Sequence, residues 1–132
     1  MDEKKIVERI IKSAVKMPME KYNAYIDTLD DVIEKELKRG YDGIDYDGEE
    51  FSFWSRDLPS KISVDGYSII DEKINKARVS ANIEEKGHNI DTFRKEVRLT
   101  WNPKKDGKKI ADAIIDVVEN VLRAIDFLYN QF

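Results

Sequence analysis

The stretch from Lys76 to Trp101 (KARVSANIEEKGHNIDTFRKEVRLTW) constrains the fold most, because apolar and polar residues alternate on both sides of a tight polar turn. A period of two residues predicts two antiparallel strands that share one buried face. Lys86 to Asn89 is the predicted turn. Some other element must cover the apolar face, whose predicted members are Val79, Ala81, Ile83, Phe93, Val97, Leu99 and Trp101.

The flanking residues predict a meander of about four antiparallel strands over residues 60–114. Ile62 to Ile70 forms the first strand, and a change of apolar parity at Asp65-Gly66 predicts a bulge there. Asp106-Gly107 is a turn signal. Lys108 to Ile114 would then be the last strand, although its alanines and isoleucines leave a helix open over residues 108–116.

Apolar residues spaced by three and four positions predict helices over about residues 2–16, 19–39 and 117–131. Pro18 separates the first two, because the residue before a proline is pushed out of the helical region. The second helix ends near Gly40, and it is either continuous or restarts at Thr28, where Asp31 would complete a capping box.

Residues 40–50 (GYDGIDYDGEE) contain three glycines and five acidic residues without a clear period, which predicts a loop. The spacing excludes an EF-hand calcium site. If Gly48 is taken as the required glycine at position six of the calcium loop, Gly43 and Trp54 fall at positions one and twelve, which need carboxylates. The loop is therefore expected to be solvated. The aromatic residues that follow it, Phe51, Phe53 and Trp54, are expected to act as a lid or plug.

Length and composition favour one domain over residues 1–132. The chain has no cysteine and a net charge of −4, which excludes disulfides and argues against a broad phosphate-binding face. No aromatic residue interrupts the basic cluster at Lys104, Lys105, Lys108 and Lys109, so nucleic-acid binding is not expected.

The chain holds no apolar run of the ~20 residues that a membrane-spanning helix needs, and its first residues contain no signal-peptide core. We therefore expect no membrane span. The compartment would be the cytoplasm for the chain as it stands, or the periplasm or exterior if an export signal has been removed.

No residue pattern predicts catalysis, a cofactor or a bound metal. His88 is the only histidine, and it lies in the predicted turn, whereas a general base belongs in a cavity that excludes water. No nucleophile motif and no glycine-rich phosphate loop are present. The residues thus favour a non-enzymatic protein, without deciding the question.

Three stretches resemble a known fold: IDYDGEEF, KISVDGYSII with its turn into KARVSANI, and VRLTW followed by DGKKIADAI. Together they are similar to the cystatin-like α+β superfamily of nuclear transport factor 2, and more narrowly to small bacterial domains of unknown function. The resemblance spans residues 20–130. It implies helices packed as a cone on a strongly curved antiparallel sheet. Proteins of this architecture include isomerases, dehydratases, transport adaptors, binding proteins and toxin-immunity proteins.

The resemblance also implies a space between helices and sheet that could hold a ligand. The candidate pocket or partner-binding residues are Tyr22, Tyr25, Asp45, Trp54, Tyr67, Trp101 and Asp112. Aromatic residues at such spacings are usually core. The leading prediction is therefore a non-enzymatic protein-interaction domain, with toxin immunity as one form. It would bind a basic partner through the acidic loop or form a homodimer through the outer sheet face. The alternative is a small-molecule carrier or a small isomerase or dehydratase that uses the cavity.

Overall fold

The computed structural model describes residues 18–129, and over these residues the protein is an α+β domain with two helices on one face of an open antiparallel sheet. The five strands neighbour one another in chain order, so the sheet is a simple meander with five strands rather than about four. The predicted helix over residues 2–16 lies outside the described part. The elements are α1 (Met19–Gly40), β1 (Ile44–Asp47), β2 (Glu50–Phe53), β3 (Ile62–Asp71), β4 (Lys76–Glu85), β5 (His88–Arg98) and α2 (Pro103–Tyr129).

The predicted central hairpin is confirmed as β4 and β5. Glu85 pairs with His88 across a two-residue turn, in which Lys86 and Gly87 both take positive φ angles of 50° and 83°. Such a turn matches the right-handed twist of the strands that it joins. Trp101 is the exception to the predicted inward alternation, because β5 ends at Arg98 and Trp101 lies beyond it with φ 64°.

The acidic segment and the aromatic segment after it form a second hairpin, β1 and β2, so the prediction of a loop and lid was wrong. Ile44 pairs with Phe53 and Tyr46 pairs with Phe51, and these four side chains turn toward the helices. The Asp47-Gly48 step begins the turn, with φ 61° at Gly48. The acidic residues at the alternate positions point to the other side of the sheet, which is solvated.

The predicted bulge at Asp65-Gly66 is absent, since β3 pairs with β4 in unbroken register along its whole length. Gly66 occupies an inward position instead, and the ring of Phe51 lies over it: a Cβ atom there would be 2.1 Å from Phe51 Cζ. Tyr67 and Ile69 therefore stay on the outer face. The irregularity in the sheet lies between Ile83 and Glu84, where the pairing with β5 shifts.

The predicted last strand, Lys108 to Ile114, is part of α2. Asn102 caps this helix, because its Oδ1 atom accepts hydrogen bonds from the backbone N–H groups of Lys104 at 3.1 Å and Lys105 at 3.2 Å. Pro103 occupies the first helical position, which needs no N–H donor. Residues on the inner side of α2 are fully or almost fully buried: Ile110, Ala111, Ala113, Ile114, Val117, Val118 and Val121.

The two helices lie side by side and run in the same direction. Gly107 of α2 lies against Leu29 and Val32 of α1, and Ile115 lies near Gly40 further along both helices. A continuous α1 excludes the restart considered at Thr28. Its buried residues recur every four positions: Tyr25, Leu29, Ile33 and Leu37. The last three belong to the apolar stripe predicted from the sequence, whereas Tyr22 and Ile26 of that stripe are only partly buried. The core consequently lies between the two helices and the inner face of the sheet.

Candidate binding surface

The outer face of the sheet is uncovered in the part of the chain that the structure describes, because both helices pack on the inner face. The strand register arranges its side chains in rows that cross all five strands. The first row contains Asp45, Ser52, Asp65, Asn82 and Thr92, and the second contains Asp47, Glu50, Tyr67, Ser80 and Arg94. Outward side chains of one row stand next to each other on neighbouring strands.

One end of this face is acidic and slightly concave. A cleft of about 230 Å³ lies over β1, β2 and β3 and reaches Glu84 at the end of β4. Its carboxylates belong to Asp45, Asp47, Glu50, Asp65 and Glu84. Among residues 18–129, none of the five forms a hydrogen bond or an ion pair through its carboxylate. This negative charge is therefore not neutralised by contacts within the described chain.

The opposite end of the same face is basic. Lys76 and Arg78 are neutralised by neighbours, through Lys76 Nζ to Glu96 Oε2 at 2.9 Å and Arg78 Nη2 to Asp71 Oδ2 at 3.5 Å. Arg94 and Arg98 on β5 form no ion pair with any described residue. Among the described residues, the face thus carries unpaired negative charge over its first three strands and at Glu84 near the end of β4, and unpaired positive charge on its last strand.

Two large apolar side chains stand between these charged ends. Tyr67 is 42% exposed and Ile69 is 49% exposed, both on the central strand β3. An aromatic and an aliphatic side chain inside a polar rim is the arrangement typical of a protein-binding surface.

The seven residues predicted as a site do not share one cavity. Asp45 and Tyr67 line the acidic cleft, whereas Trp54 is 71% exposed elsewhere and Asp112 is exposed on α2. Tyr25 is buried against Trp101, with 5.1 Å between their ring centroids.

Tyr22 is partly buried near the turn between β3 and β4. Burial, and then the neighbouring Glu72 carboxylate, raises the pKa of the Tyr22 hydroxyl.

Asp106 is the residue that sequence reasoning missed. It is fully buried, and its carboxylate accepts from the Tyr25 hydroxyl at 2.6 Å, the Trp101 N–H at 2.8 Å, and the N–H and hydroxyl of Thr100 at 2.9 and 2.8 Å. Burial raises the pKa of the Tyr25 hydroxyl, and its hydrogen bond to Asp106 raises that pKa further. The sequence signal for this site was the Asn-Pro-x-x-Asp spacing, in which a helix-capping residue is followed by an acidic residue in the first turn.

A second tyrosine–aspartate pair ties the first hairpin to α1. The Tyr46 hydroxyl donates to Asp30 Oδ1 at 2.7 Å. Burial raises the pKa of Tyr46, and the hydrogen bond to Asp30 adds to that effect. Burial also raises the pKa of the Asp30 carboxyl, although the Tyr46 hydroxyl acts in the opposite direction. This hydrogen bond attaches β1, at the acidic end of the sheet, to α1 on the inner face.

A further open cleft of about 630 Å³ lies beside Trp54, between the end of β2 and α2. It is lined by Tyr41, Phe53, Arg56 and Leu122 as well as Trp54 itself. A smaller cleft of about 200 Å³ extends past Leu58 and Ile125. Tyr22, Tyr25, Trp101 and Asp112 line none of these clefts. The aromatic residues expected to line a cavity under the helices are therefore not gathered around one.

Within residues 18–129 no group of three or more histidine, aspartate or glutamate side chains is arranged to hold a metal ion. In the same part of the chain, neither helix is long and apolar enough to cross a lipid bilayer.

Comparison of the chain with protein-family models, with curated proteins and with solved structures gave no significant match. Evidence about function therefore comes from the geometry and charge of the surface itself.

Proposed function

We propose that this domain is a non-enzymatic protein-interaction module that binds a basic protein surface through the acidic end of its outer sheet face. The observation that carries the proposal is the set of five unpaired carboxylates around the cleft beside Tyr67, on a face that no described element covers.

Physical chemistry supports a protein partner for this surface. Carboxylates that have no partner among residues 18–129 gain an ion pair on binding without losing one within that part of the chain. Complementary charge also raises the rate of encounter, and it does so more strongly than it raises affinity. Tyr67 and Ile69 supply the apolar contact that charged groups alone do not, and tyrosine is among the residues that contribute most at interfaces.

The proposal agrees with the resemblance to the cystatin-like superfamily. Helices on one face of an antiparallel sheet are compatible with that architecture, and we place the chain there as an inference. Within such a group, an acidic surface suits a toxin-immunity role, in which an acidic protein covers a basic enzyme. The alternative of a carrier or small enzyme requires a cavity beneath the helices. The Tyr25 hydroxyl, a candidate proton donor for a ligand in such a cavity, donates its hydrogen bond to Asp106 instead.

A labelled lysine-rich peptide of defined sequence is the probe that tests the proposal, with binding followed by fluorescence anisotropy. The variant Asp47→Asn/Glu50→Gln removes two carboxylates from the cleft. We expect it to weaken binding by about fivefold or more, the equivalent of about 1 kcal/mol for two exposed pairs. Added salt should weaken binding to the unmodified protein.

Glu20→Gln/Asp112→Asn is the matched control, because it makes the same change in net charge at exposed positions on the two helices. This variant should bind as the unmodified protein does. Equal weakening by both variants would mean that the peptide senses only net charge, and the proposal would then fail.

A further inference from the structure

We propose that the basic surface bound by the acidic end is the β5 end of a second copy of this chain. The two copies would pack outer face to outer face about a twofold axis that runs along β3. This inference rests on the proposed function, since it names the partner of the same surface. It makes the domain a homodimer whose binding surface is self-complementary.

The strand order and register determine which residues meet. A twofold axis along β3 turns one sheet over, so that β1 faces β5 of the second copy, β2 faces β4, and β3 faces itself. Asp47 and Arg94 belong to the same row, at opposite ends of it. Asp47 of each copy therefore faces Arg94 of the other, and the dimer gains two ion pairs from charges that have no ion-pair partner among the described residues of one copy.

The centre of the same arrangement is apolar. Tyr67 and Ile69 lie on β3, the strand on the axis, so each side chain meets its own counterpart or the other apolar residue of the second copy. Sheets packed face to face keep their strand directions within about 30° of each other, which an axis along a strand allows. The result is an apolar centre flanked by ion pairs, the usual composition of a protein interface.

The area of this face predicts a weak dimer. Five strands spaced ~4.8 Å apart, with a mean length of about eight residues at ~3.3 Å per residue, give about 630 Å² per copy. The total of about 1,250 Å² is close to the lower limit for specific interfaces. We therefore expect dimerisation that depends on concentration and weakens with salt, rather than an obligate dimer.

The residues that precede Pro18 are a poorer fit to this face than a second copy is. This segment (MDEKKIVERIIKSAVKM) has five basic and three acidic residues, so it complements the acidic end of the face but offers few carboxylates to the arginines of β5 at the other end. The helix α1 that follows them also packs on the opposite, inner face.

Analytical ultracentrifugation of the full chain, from about 1 µM to about 1 mM, covers the range of dissociation constants expected for a small interface. We expect the unmodified chain to pass from monomer to dimer in this range. Asp47→Arg and Arg94→Asp should each stay monomeric where the unmodified chain is half dimeric, because like charges then meet twice.

An equimolar mixture of the two variants should restore the dimer, because position 47 of one copy again meets an opposite charge at position 94 of the other. A variant that had merely failed to fold could not be rescued in this way. Asp112→Arg is the control for a charge reversal elsewhere, on α2, and it should dimerise normally.

Three results would overturn the dimer: an unmodified chain that stays monomeric throughout, single variants that dimerise as well as it does, or a dimer lost on Ile10→Asp but retained in Asp47→Arg. The last result would place the interface in the N-terminal segment. A monomeric chain that still binds the lysine-rich peptide through Asp47 and Glu50 would overturn the homodimer alone and leave the proposed function standing.

Discussion

At the scale of single residues, Asp106 connects α1 with the segment between β5 and α2. Its carboxylate receives hydrogen bonds from Tyr25 on α1 and from Thr100 and Trp101 in the connection after β5. A buried carboxylate is costly unless every lone pair is used, and here four donors meet two oxygens. The positive φ angle of Trp101, an uncommon conformation for a bulky residue, is held in part by these bonds.

Asp106→Asn should lower the free energy of unfolding by about 3 kcal/mol, since the amide group replaces an acceptor with a donor and leaves buried donors unsatisfied. Urea denaturation followed by circular dichroism measures the change. Asp112→Asn, an exposed residue on the same helix, is the control and should change stability by less than about 0.5 kcal/mol. Equal effects of the two substitutions would contradict the role assigned to Asp106.

At the scale of elements, two glycines allow close approach at positions where a side chain would clash. Gly66 makes room for the ring of Phe51 on the inner face of the sheet, and Gly107 brings α2 against α1. A Cβ atom at Gly107 would lie 2.6 Å from Val32 Cγ1 and 2.8 Å from Val32 Cβ. The spacing of the two helices is therefore set by this contact.

Gly107→Ala should destabilise the protein by about 2 kcal/mol, although alanine is the better helix former, because the helices must separate to accept the methyl group. Thermal or urea unfolding would measure it. Gly40→Ala is the matched control, since a Cβ atom there meets Ile115 at an ordinary 3.7 Å. Val32→Gly combined with Gly107→Ala removes both contacts, so the double variant should lose less stability than the two single variants added together. Additive losses would refute the proposed clash.

At the scale of the whole molecule, two buried tyrosine–aspartate bonds link the layers. Tyr25 ties α1 to α2 through Asp106, and Tyr46 ties β1 to α1 through Asp30. In both, burial raises the pKa of the tyrosine above its ordinary value of 10.0. The native state therefore keeps both phenolic protons at a pH where the unfolded chain has released them.

Stability should consequently be unaffected by these groups below pH 10 and fall as the pH rises above it, by about 1.4 kcal/mol per pH unit for each tyrosine. Urea midpoints measured between about pH 9 and about pH 11.5 would show the slope. Tyr25→Phe/Tyr46→Phe should make the slope shallower. An unchanged slope in the double variant would contradict the prediction.

Some secondary-structure elements could be predicted from the sequence, and others could not. The hairpin of β4 and β5 and the helix α1 were predictable, because their apolar periods are long and uninterrupted. The hairpin of β1 and β2 was mistaken for a loop, since glycines and acids obscured an alternation that is present in Ile44, Tyr46, Phe51 and Phe53. Asp106-Gly107 resembled a turn, but it lies in the first turns of α2, which begins at Pro103 after the cap at Asn102.

The candidate surface was predictable only in part. Asp45 and Tyr67 were named from the sequence, and both line the acidic cleft. Asp65 and Glu84 were not, because their proximity to Asp45 and Tyr67 depends on strand register rather than on any local pattern.

By itself the sequence determined the α+β class, the central hairpin and the stripe of α1, because local periodicity reflects which side of an element meets the core. Only the tertiary structure decided the fifth strand, the full length of α2 and the buried position of Asp106. It alone also separated the unpaired charges at opposite ends of the sheet. Those features depend on which segments pair across the fold, and a side chain's neighbours on other strands cannot be deduced from its neighbours along the chain.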